Sequence, residues 1–440
     1  MKQPFFFLLT MVYLCSTLYA QKDTVYVQGY YESGGTYGTL NDAIETAIND
    51  GTINNTVFKL TPYEIYVLDR NINLDRGQNL ELVAPKPLKA GDSAAVQHSA
   101  PPQIVWTEEH DNDYTTNERQ YIIRSYGDII MKNIWVRYAD MAGNKTSSSI
   151  VFEDQDDANK PEQGYFEGCL FDYAGIGAEA GGTITVKTDH FDGEFQNCYF
   201  RNNQDNHFRY YGRAVSFPYE STGWHYDRLL FENCTFTNIS RIVAMEGNEY
   251  GSNIHLNHCT VLNAVEWIVQ SGWIENLSIT NSIFVNPAMM GYRALDVCND
   301  GQNYDEFVAG FCNPPKGGLI QDVVPVDSFG FEVDFTDMDR KIVVGFSNYV
   351  YQDWLKNWYS ECLWCQNNIQ QGHPEENYKP FPMLGEEALA FIDSTDDDGN
   401  KIFTKMNIDM PTIYEIDPLF VEPATNQDTL LLFLEYKWYS

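Results

Sequence analysis

A short pattern of alternating apolar and polar residues recurs between residues 130 and 286. One copy reads Phe-Glu-Asn-Cys-Thr-Phe and ends at Phe236. The other copies end at Val136, Phe171, Phe200, Val261 and Phe284. Alternation with a period of two residues is typical of a strand that buries one face. The pattern predicts that each copy forms a strand, a one-residue bend and a second strand, with the closing apolar residue in the interior.

The bend is marked by two aligned columns of residues. The bend itself falls on residue types that tolerate a left-handed backbone: Asn133, Gly168, Asn197, Asn233, His258 and Asn281. The next column is small or apolar: Ile134, Cys169, Cys198, Cys234, Cys259 and Ser282. We expect these thiols to point inward as small buried groups. Side chains in one column run parallel, so no disulfide is expected within it.

A repeat unit of this size cannot bury its apolar face alone, so neighbouring units must stack. The expected fold is all-β: a right-handed, single-stranded parallel β-helix, which is a solenoid. The chain resembles the pectin-lyase-like superfamily of right-handed β-helices, whose second bend carries a similar asparagine ladder. That superfamily includes lyases, hydrolases, esterases, adhesins and phage tailspikes. The resemblance therefore implies the fold and leaves the activity open.

Further elements are predicted on both sides of the repeats. An apolar stripe over residues 39–48 predicts a helix, capped by Thr39 or Asn41, that closes the first turn. The first strands are predicted at residues 57–60, 65–68, 79–83 and 103–106. The β-helix domain is expected to span residues 21–351, with an irregular insertion at about 296–340. Residues 352–440 are expected to form an irregular capping segment with helices at 386–392 and 427–438.

The amino terminus predicts export. Residues 1–20 have the features of a signal peptide: Lys2, an apolar run over residues 4–18, and a small residue, Ala20, before the cleavage site. No later apolar stretch approaches the roughly 20 residues of a membrane span. We expect a secreted or periplasmic protein without a transmembrane segment.

Charge narrows the range of partners. The chain has 28 Lys and Arg residues against 62 Asp and Glu residues, a formal net charge of −34. Such an excess of acidic residues argues against nucleic acid as a partner. It also repels a polyanionic glycan unless calcium or a local basic patch reverses the field. The turns between residues 180 and 244 are the least acidic part of the chain.

Four cysteines lie downstream of the ladder. Cys298 and Cys312 fall in an irregular segment, where an exported protein accommodates a disulfide. Cys362 and Cys365 fit either a strained disulfide or half of a metal site. Zinc is the weaker of these two options, because the chain contains no second pair with that spacing.

In the superfamily that the chain resembles, the substrate lies in a trench along the first strand of each turn and the loop after it. Here the first strands are predicted at residues 121–126, 149–155, 183–189, 213–219, 241–247, 266–272 and 293–297. Alternation predicts that Val151, Glu153, Thr185, Lys187 and Asp189 face this trench.

Glu153 and Lys187 are predicted to be direct neighbours on successive turns. The resemblance to calcium-dependent lyases implies a Ca²⁺ site, since oxygen ligands from two turns suit this ion. Its ligands would be Glu153, Asp154, Asp157 and Asp189. No organic cofactor is expected. Lys187 is the candidate base, because cationic neighbours and partial desolvation favour the neutral amine. The same side chains also fit a solvated charge ladder.

Arginines begin three of the predicted first strands, at Arg213, Arg241 and Arg293. This row fits two roles equally well. It can grip carboxylates or sulfates along a glycan, or it can bind loop carbonyls and tie the turns together. Further candidate acid, base, binding and stacking groups are His190, His207, Arg209 and Tyr210.

These observations favour a monomeric, exported lyase that cleaves a uronate-containing polysaccharide by β-elimination. In this interpretation the catalytic residues are Lys187, Arg213, Arg241, His190 and His207, and the glycan is held by Arg209, Tyr210 and Arg293. Two alternatives stay open. An adhesin or surface scaffold would bind a glycan without cleaving it. An inverting hydrolase would use trench carboxylates such as Asp154, Asp157 and Asp189 to hold a water.

Overall fold

The computed structural model describes residues 22–86, 100–106, 121–140, 148–154, 162–172, 182–203, 212–218, 224–245, 250–264, 268–270, 274–287, 289, 341–361, 393, 395–401, 407–408 and 412–418. Within these ranges the chain winds into three long parallel sheets around one apolar core. The architecture is a right-handed parallel β-helix, which confirms the predicted fold class.

The sheets are named here A, B and C. Sheet A contains β1 (Asp23–Tyr26), β2 (Thr56–Lys59), β5 (Leu80–Val83), β8 (Ile129–Lys132), β11 (Gln163–Glu167), β14 (Phe191–Gln196), β17 (His225–Glu232), β20 (Tyr250–Asn257), β23 (Ile274–Thr280), β25 (Lys341–Gly345) and β27 (Asn407–Ile408). Sheet B contains β3 (Ile65–Leu68), β6 (Gln103–Trp106), β9 (Trp135–Asp140), β12 (Leu170–Asp172), β15 (Tyr199–Arg201), β18 (Thr235–Ile239), β21 (Thr260–Ala264), β24 (Ile283–Val285), β26 (Ser347–Val350) and β28 (Ile413–Tyr414). Sheet C contains β4 (Ile72–Leu74), β7 (Ile123–Ser125), β10 (Ile150–Glu153), β13 (Ile184–Lys187), β16 (Arg213–Phe217), β19 (Arg241–Met245) and β22 (Val269–Gln270).

Sheets A and B meet at the predicted one-residue bend. All six predicted bend residues, from Asn133 to Asn281, have positive φ angles between 52° and 62°. Phe346 takes the same place in a later turn with φ 50°. Asparagine and glycine reach this left-handed region at lower cost than other residues, which explains their recurrence in the column.

A second asparagine column, which we did not predict, lies at the C-terminal ends of strands in sheet B. Its members also have positive φ: Asn202, Asn238, Asn263 and Asn286. The Nδ2 of Asn286 donates to Oδ1 of Asn263 at 3.0 Å, and the Nδ2 of Asn263 donates to Oδ1 of Asn238 at 3.3 Å. These bonds satisfy the amides inside the ladder and hold successive turns in register.

The core consists of stacked side chains from successive turns. Phe171, Phe200 and Phe236 are fully buried, and the ring centroids of Phe171 and Phe200 lie 4.8 Å apart. The four thiols of the predicted ladder are buried and unbridged, as expected. Each thiol donates to a carbonyl of the preceding turn, as Cys198 Sγ does to Phe166 O at 3.3 Å. Burial raises the pKa of the Cys198 thiol, which keeps it protonated.

Helix α1 (Thr39–Asn49) covers the first turns as predicted, and buries Leu40, Ile44 and Ala47. The predicted cap is wrong. Gly38 forms the N-terminus of the helix with φ 71°, and no side chain caps it. The Asn41 amide instead donates to the carbonyl of Arg70 at 2.6 Å, which explains why it is buried.

The far end of the stack is extended by the C-terminal segment. Helix α2 (Asp353–Glu361) follows β26, and β27 and β28 pair with β25 and β26. Several predictions concern residues outside the described ranges: the signal peptide, the insertion at 296–340, the helices at 386–392 and 427–438, and Cys298, Cys312, Cys362 and Cys365. Among the described residues, no helix has the length and apolar character needed to cross a membrane.

Candidate functional site

Sheet C is formed by the strands that we predicted would line the trench. The register aligns Ile150 with Ile184 and Phe152 with Val186, and all four side chains are buried in the core. The residues between them therefore point to the outer face of sheet C. Glu153 lies directly opposite Lys187, as predicted. The predicted strand at 293–297 is outside the described residues.

One row of polar side chains crosses the outer face at the ends of the first strands of sheet C. Leu74, Ser125 and Phe152 are register partners, so the next position along each strand also aligns. The row, called here the outer row, consists of Asp75, Tyr126, Glu153 and Lys187. Adjacent strands are about 4.8 Å apart, so Tyr126 and Lys187 are separated by about 10 Å of backbone.

Arg124 contacts two neighbouring members of the outer row, Tyr126 and Glu153. Its Nη2 donates to the Tyr126 hydroxyl at 2.6 Å, and its Nε lies 3.2 Å from Glu153 Oε1. The Nε–H does not point at that oxygen, so the second contact is an ion pair without an aligned hydrogen bond. Partial burial acts to lower the pKa of Arg124, but Glu153 and the nearby tyrosines outweigh it and raise the pKa. The guanidinium therefore stays charged.

A cleft of about 400 Å³ opens at the start of the outer row, lined by Asp75, Arg76 and Tyr126. The Arg76 guanidinium carbon lies 5.7 Å from the centre of the Tyr126 ring, and that of Arg124 lies 5.2 Å from it. Arg76 Nη2 also donates to the carbonyl of Asp154 at 3.4 Å. The cleft thus combines an aromatic face, two guanidinium groups and a carboxylate.

Lys187 is the last member of the outer row. Its side chain is half-buried, and within the described part of the chain its amine has no hydrogen bond or ion pair. Glu153, its register neighbour, pairs with Arg124 instead. The described contacts therefore differ from a simple Glu153–Lys187 charge ladder and leave the amine available for a ligand.

The outer face is less open than we predicted. Val151 and Thr185 point outward but are only 5% and 3% exposed. Side chains just before or at the start of the middle strands form hydrogen bonds at this face. Ser148 Oγ lies 2.8 Å from Thr185 Oγ1, and Arg213 Nη1 donates to Ser216 Oγ at 3.1 Å. These contacts help to cover the first outward column of the middle strands.

The described arginines of the predicted row are buried as well. Arg213 and Arg241 are register partners in β16 and β19, and they are 0% and 2% exposed. A buried guanidinium cannot meet a polysaccharide without a rearrangement, so this burial favours a structural role for both arginines over glycan binding. Arg293 lies outside the described residues.

The described part of the predicted calcium site does not fit a metal. The Glu153 carboxylate faces the Arg124 guanidinium, and Arg76 binds the Asp154 backbone. Among the described residues, no three His, Cys, Asp or Glu side chains gather within reach of one ion. Asp157 lies outside the described residues, so calcium stays a prediction.

His190 lies at the bend that follows β13, with φ 62°. Its Nδ1 is 3.1 Å from Asp227 Oδ1, on the next turn. A carboxylate in this position fixes the orientation of the imidazole ring. The remaining candidates His207, Arg209 and Tyr210 fall outside the described residues.

Sequence reasoning missed Arg76, Arg124 and Tyr126. Alternation over residues 121–126 was enough to place Arg124 and Tyr126 outward together, while Arg76 follows β4, a strand that we did not predict. No protein-family model and no curated protein matches this sequence.

Proposed function

We propose that this protein is an exported lyase that cleaves a uronate-containing polysaccharide by β-elimination at the outer row. The observation that carries the proposal is the environment of Lys187. A half-buried amine without an ionic partner among the described residues lies one strand from the Arg124–Glu153 pair. Lysine in such a position is a candidate general base.

Local charge supports an acidic substrate. The outer row and its neighbours contribute three cations, Arg76, Arg124 and Lys187, against the carboxylates of Asp75 and Glu153, in a chain with a net charge of −34. Arginine binds carboxylates through paired N–H groups. Bound near Arg76 and Arg124, a uronate carboxylate would be neutralised, which stabilises the charge that develops when the neighbouring C5 proton leaves.

In the proposed reaction the neutral Lys187 amine removes the C5 proton of the uronate. The electrons of the C5–H bond form the C4=C5 double bond, and the bond from C4 to the glycosidic oxygen breaks. Tyr126 and the two guanidinium groups at its ring hold the sugar in the cleft, on the side of Glu153 away from the amine. Holding the reacting groups together in this way contributes to rate by removing their relative motion.

A second candidate is a glycan-binding scaffold without activity. The observation that favours it is the pair of guanidinium groups within 5.7 Å of the centre of the Tyr126 ring, a combination that is able to hold an acidic sugar without any proton transfer.

One assay separates these functions. The purified protein is mixed with alginate, pectate or sulfated algal glycans, with and without chelator, and the ultraviolet absorbance of unsaturated products is followed. Rising absorbance on a uronate polymer supports the lyase. Binding without absorbance or new reducing ends supports the scaffold. New reducing ends without absorbance indicate the hydrolase.

A further inference from the structure

β-Elimination requires two proton transfers, and Lys187 accounts for only the first. The glycosidic oxygen that leaves C4 is a poor leaving group as an alkoxide, so a proton donor is needed on its side of the sugar. This inference rests on the proposed lyase function and concerns the missing donor.

Tyr126 is the only phenol in the outer row. It lines the cleft, and its place in the row is two strands away from Lys187. A substrate bound across Glu153 would therefore meet Lys187 on one side and Tyr126 on the other. This arrangement brings two proton-transferring groups to opposite ends of the same short site.

The hydrogen bond of Tyr126 leaves its own proton available. Arg124 Nη2 donates to the hydroxyl oxygen at 2.6 Å, so the phenol accepts in that bond and keeps its O–H for another acceptor. Among the described residues no acceptor for this O–H is found. The nearby guanidinium also stabilises the negative charge that remains once the proton has been given away.

We propose that Tyr126 is the proton donor to the leaving glycosidic oxygen. As the C4–O bond breaks, its electron pair goes to the oxygen, which takes the phenolic proton and leaves as an alcohol. Lys187 holds the proton from C5 and Tyr126 remains as a phenolate beside Arg124. Exchange of one proton with water at each residue restores the starting state, and no oxidant or reductant takes part.

The test compares two substrates with Tyr126→Phe. This variant keeps the ring and its contacts with the two guanidinium groups, and removes the hydroxyl together with the hydrogen bond that it accepts from Arg124. One substrate is the uronate polymer that the wild-type protein cleaves, and the other is a synthetic uronate with nitrophenolate at C4, which departs without a proton. We expect kcat on the polymer to fall about 10²–10³-fold. On the nitrophenyl substrate it should change by less than about threefold, because that leaving group gains little from acid catalysis.

Two controls sharpen the test. Tyr165→Phe removes a phenol on sheet A, whose hydroxyl bonds Glu167, and should leave both rates unchanged. Lys187→Ala should lower both rates, since both substrates lose the C5 proton. Tyr126→His restores a transferable proton and should recover part of the polymer rate, which excludes a purely structural loss in Tyr126→Phe.

The outcomes are distinct. Equal losses on both substrates, or no loss on the polymer, overturn the role of Tyr126 while the lyase function stands. A wild-type protein that produces no unsaturated product from any uronate substrate overturns the lyase function and this inference with it.

Discussion

The two halves of sheet C place basic side chains in opposite environments, partly exposed in one half and buried in the other. In the first strands, Arg76 and Arg124 flank an open cleft, and Lys187 lies half-buried at the end of the outer row. In β16 and β19, Arg213 and Arg241 are almost completely buried. Both sets of cations occur in or next to strands of one continuous sheet.

This difference in exposure distinguishes arginines that are able to contact a ligand from arginines that support the fold. A guanidinium withdrawn from water must be compensated by hydrogen bonds inside the protein, such as the bond from Arg213 to Ser216. A guanidinium at a cleft keeps donors for a ligand. Net charge and strand position are therefore insufficient to assign an arginine to a binding site. The exposure of its guanidinium group is needed as well.

The largest effect on turnover is expected for a substitution in the first half of sheet C, at Lys187. Lys187→Ala should lower the turnover of a uronate polymer about 10²–10⁴-fold, because it removes the base. Initial rates of unsaturated product formation measure this. The matched control is Lys132→Ala, which removes a lysine paired with Glu167 on sheet A and should not change the rate. Full activity in Lys187→Ala would disprove the proposed centre.

A large stability effect is expected from the second half. Arg213→Met should reduce the free energy of unfolding by about 2–4 kcal/mol, because it leaves buried partners unpaired. Arg124→Met, which removes a partly exposed ion pair, should cost less than about 1 kcal/mol. Denaturant titrations of both variants provide the comparison. Similar losses of unfolding free energy in the two variants would contradict the proposed difference between the buried and the partly exposed arginines.

A smaller effect is expected on binding at the cleft. Arg76→Ala should weaken binding of a uronate oligosaccharide about tenfold at low salt, because one charged hydrogen-bond donor is lost. The difference should shrink as salt screens the remaining charges. Calorimetric titrations at two ionic strengths measure it. Lys59→Ala, which removes a cation 5.4 Å from the centre of the Tyr26 ring, is the control.

The smallest effect is expected for a substitution at Thr185, in the strand where the two halves of sheet C meet. Thr185→Val replaces an outward but buried hydroxyl that lies 2.8 Å from Ser148 and accepts a bond from the Gly182 amide. Stability should fall by about 1 kcal/mol. Turnover should change less than about twofold, which kinetic assays at saturating substrate check. A large loss of turnover would show that the covered column takes part in catalysis.

The repeat was enough to predict the fold, because a left-handed bend and an inward thiol or phenyl recur at matching positions. The register of Glu153 and Lys187 followed from the same alternation. The burial of Arg213 and Val151 did not follow, because alternation gives the face to which a side chain points and does not show whether other side chains cover that face. Arg76 was missed for a related reason: its strand is too short to show a period.

Hydrogen exchange of the protein with and without a bound uronate oligosaccharide tests most directly which part of sheet C meets the glycan. A glycan site at the outer row predicts slower exchange at residues 73–76, 123–126, 150–154 and 184–190, and unchanged exchange at 213–217 and 241–245. Protection confined to the strands around Arg213 and Arg241, with none at the outer row, would contradict it.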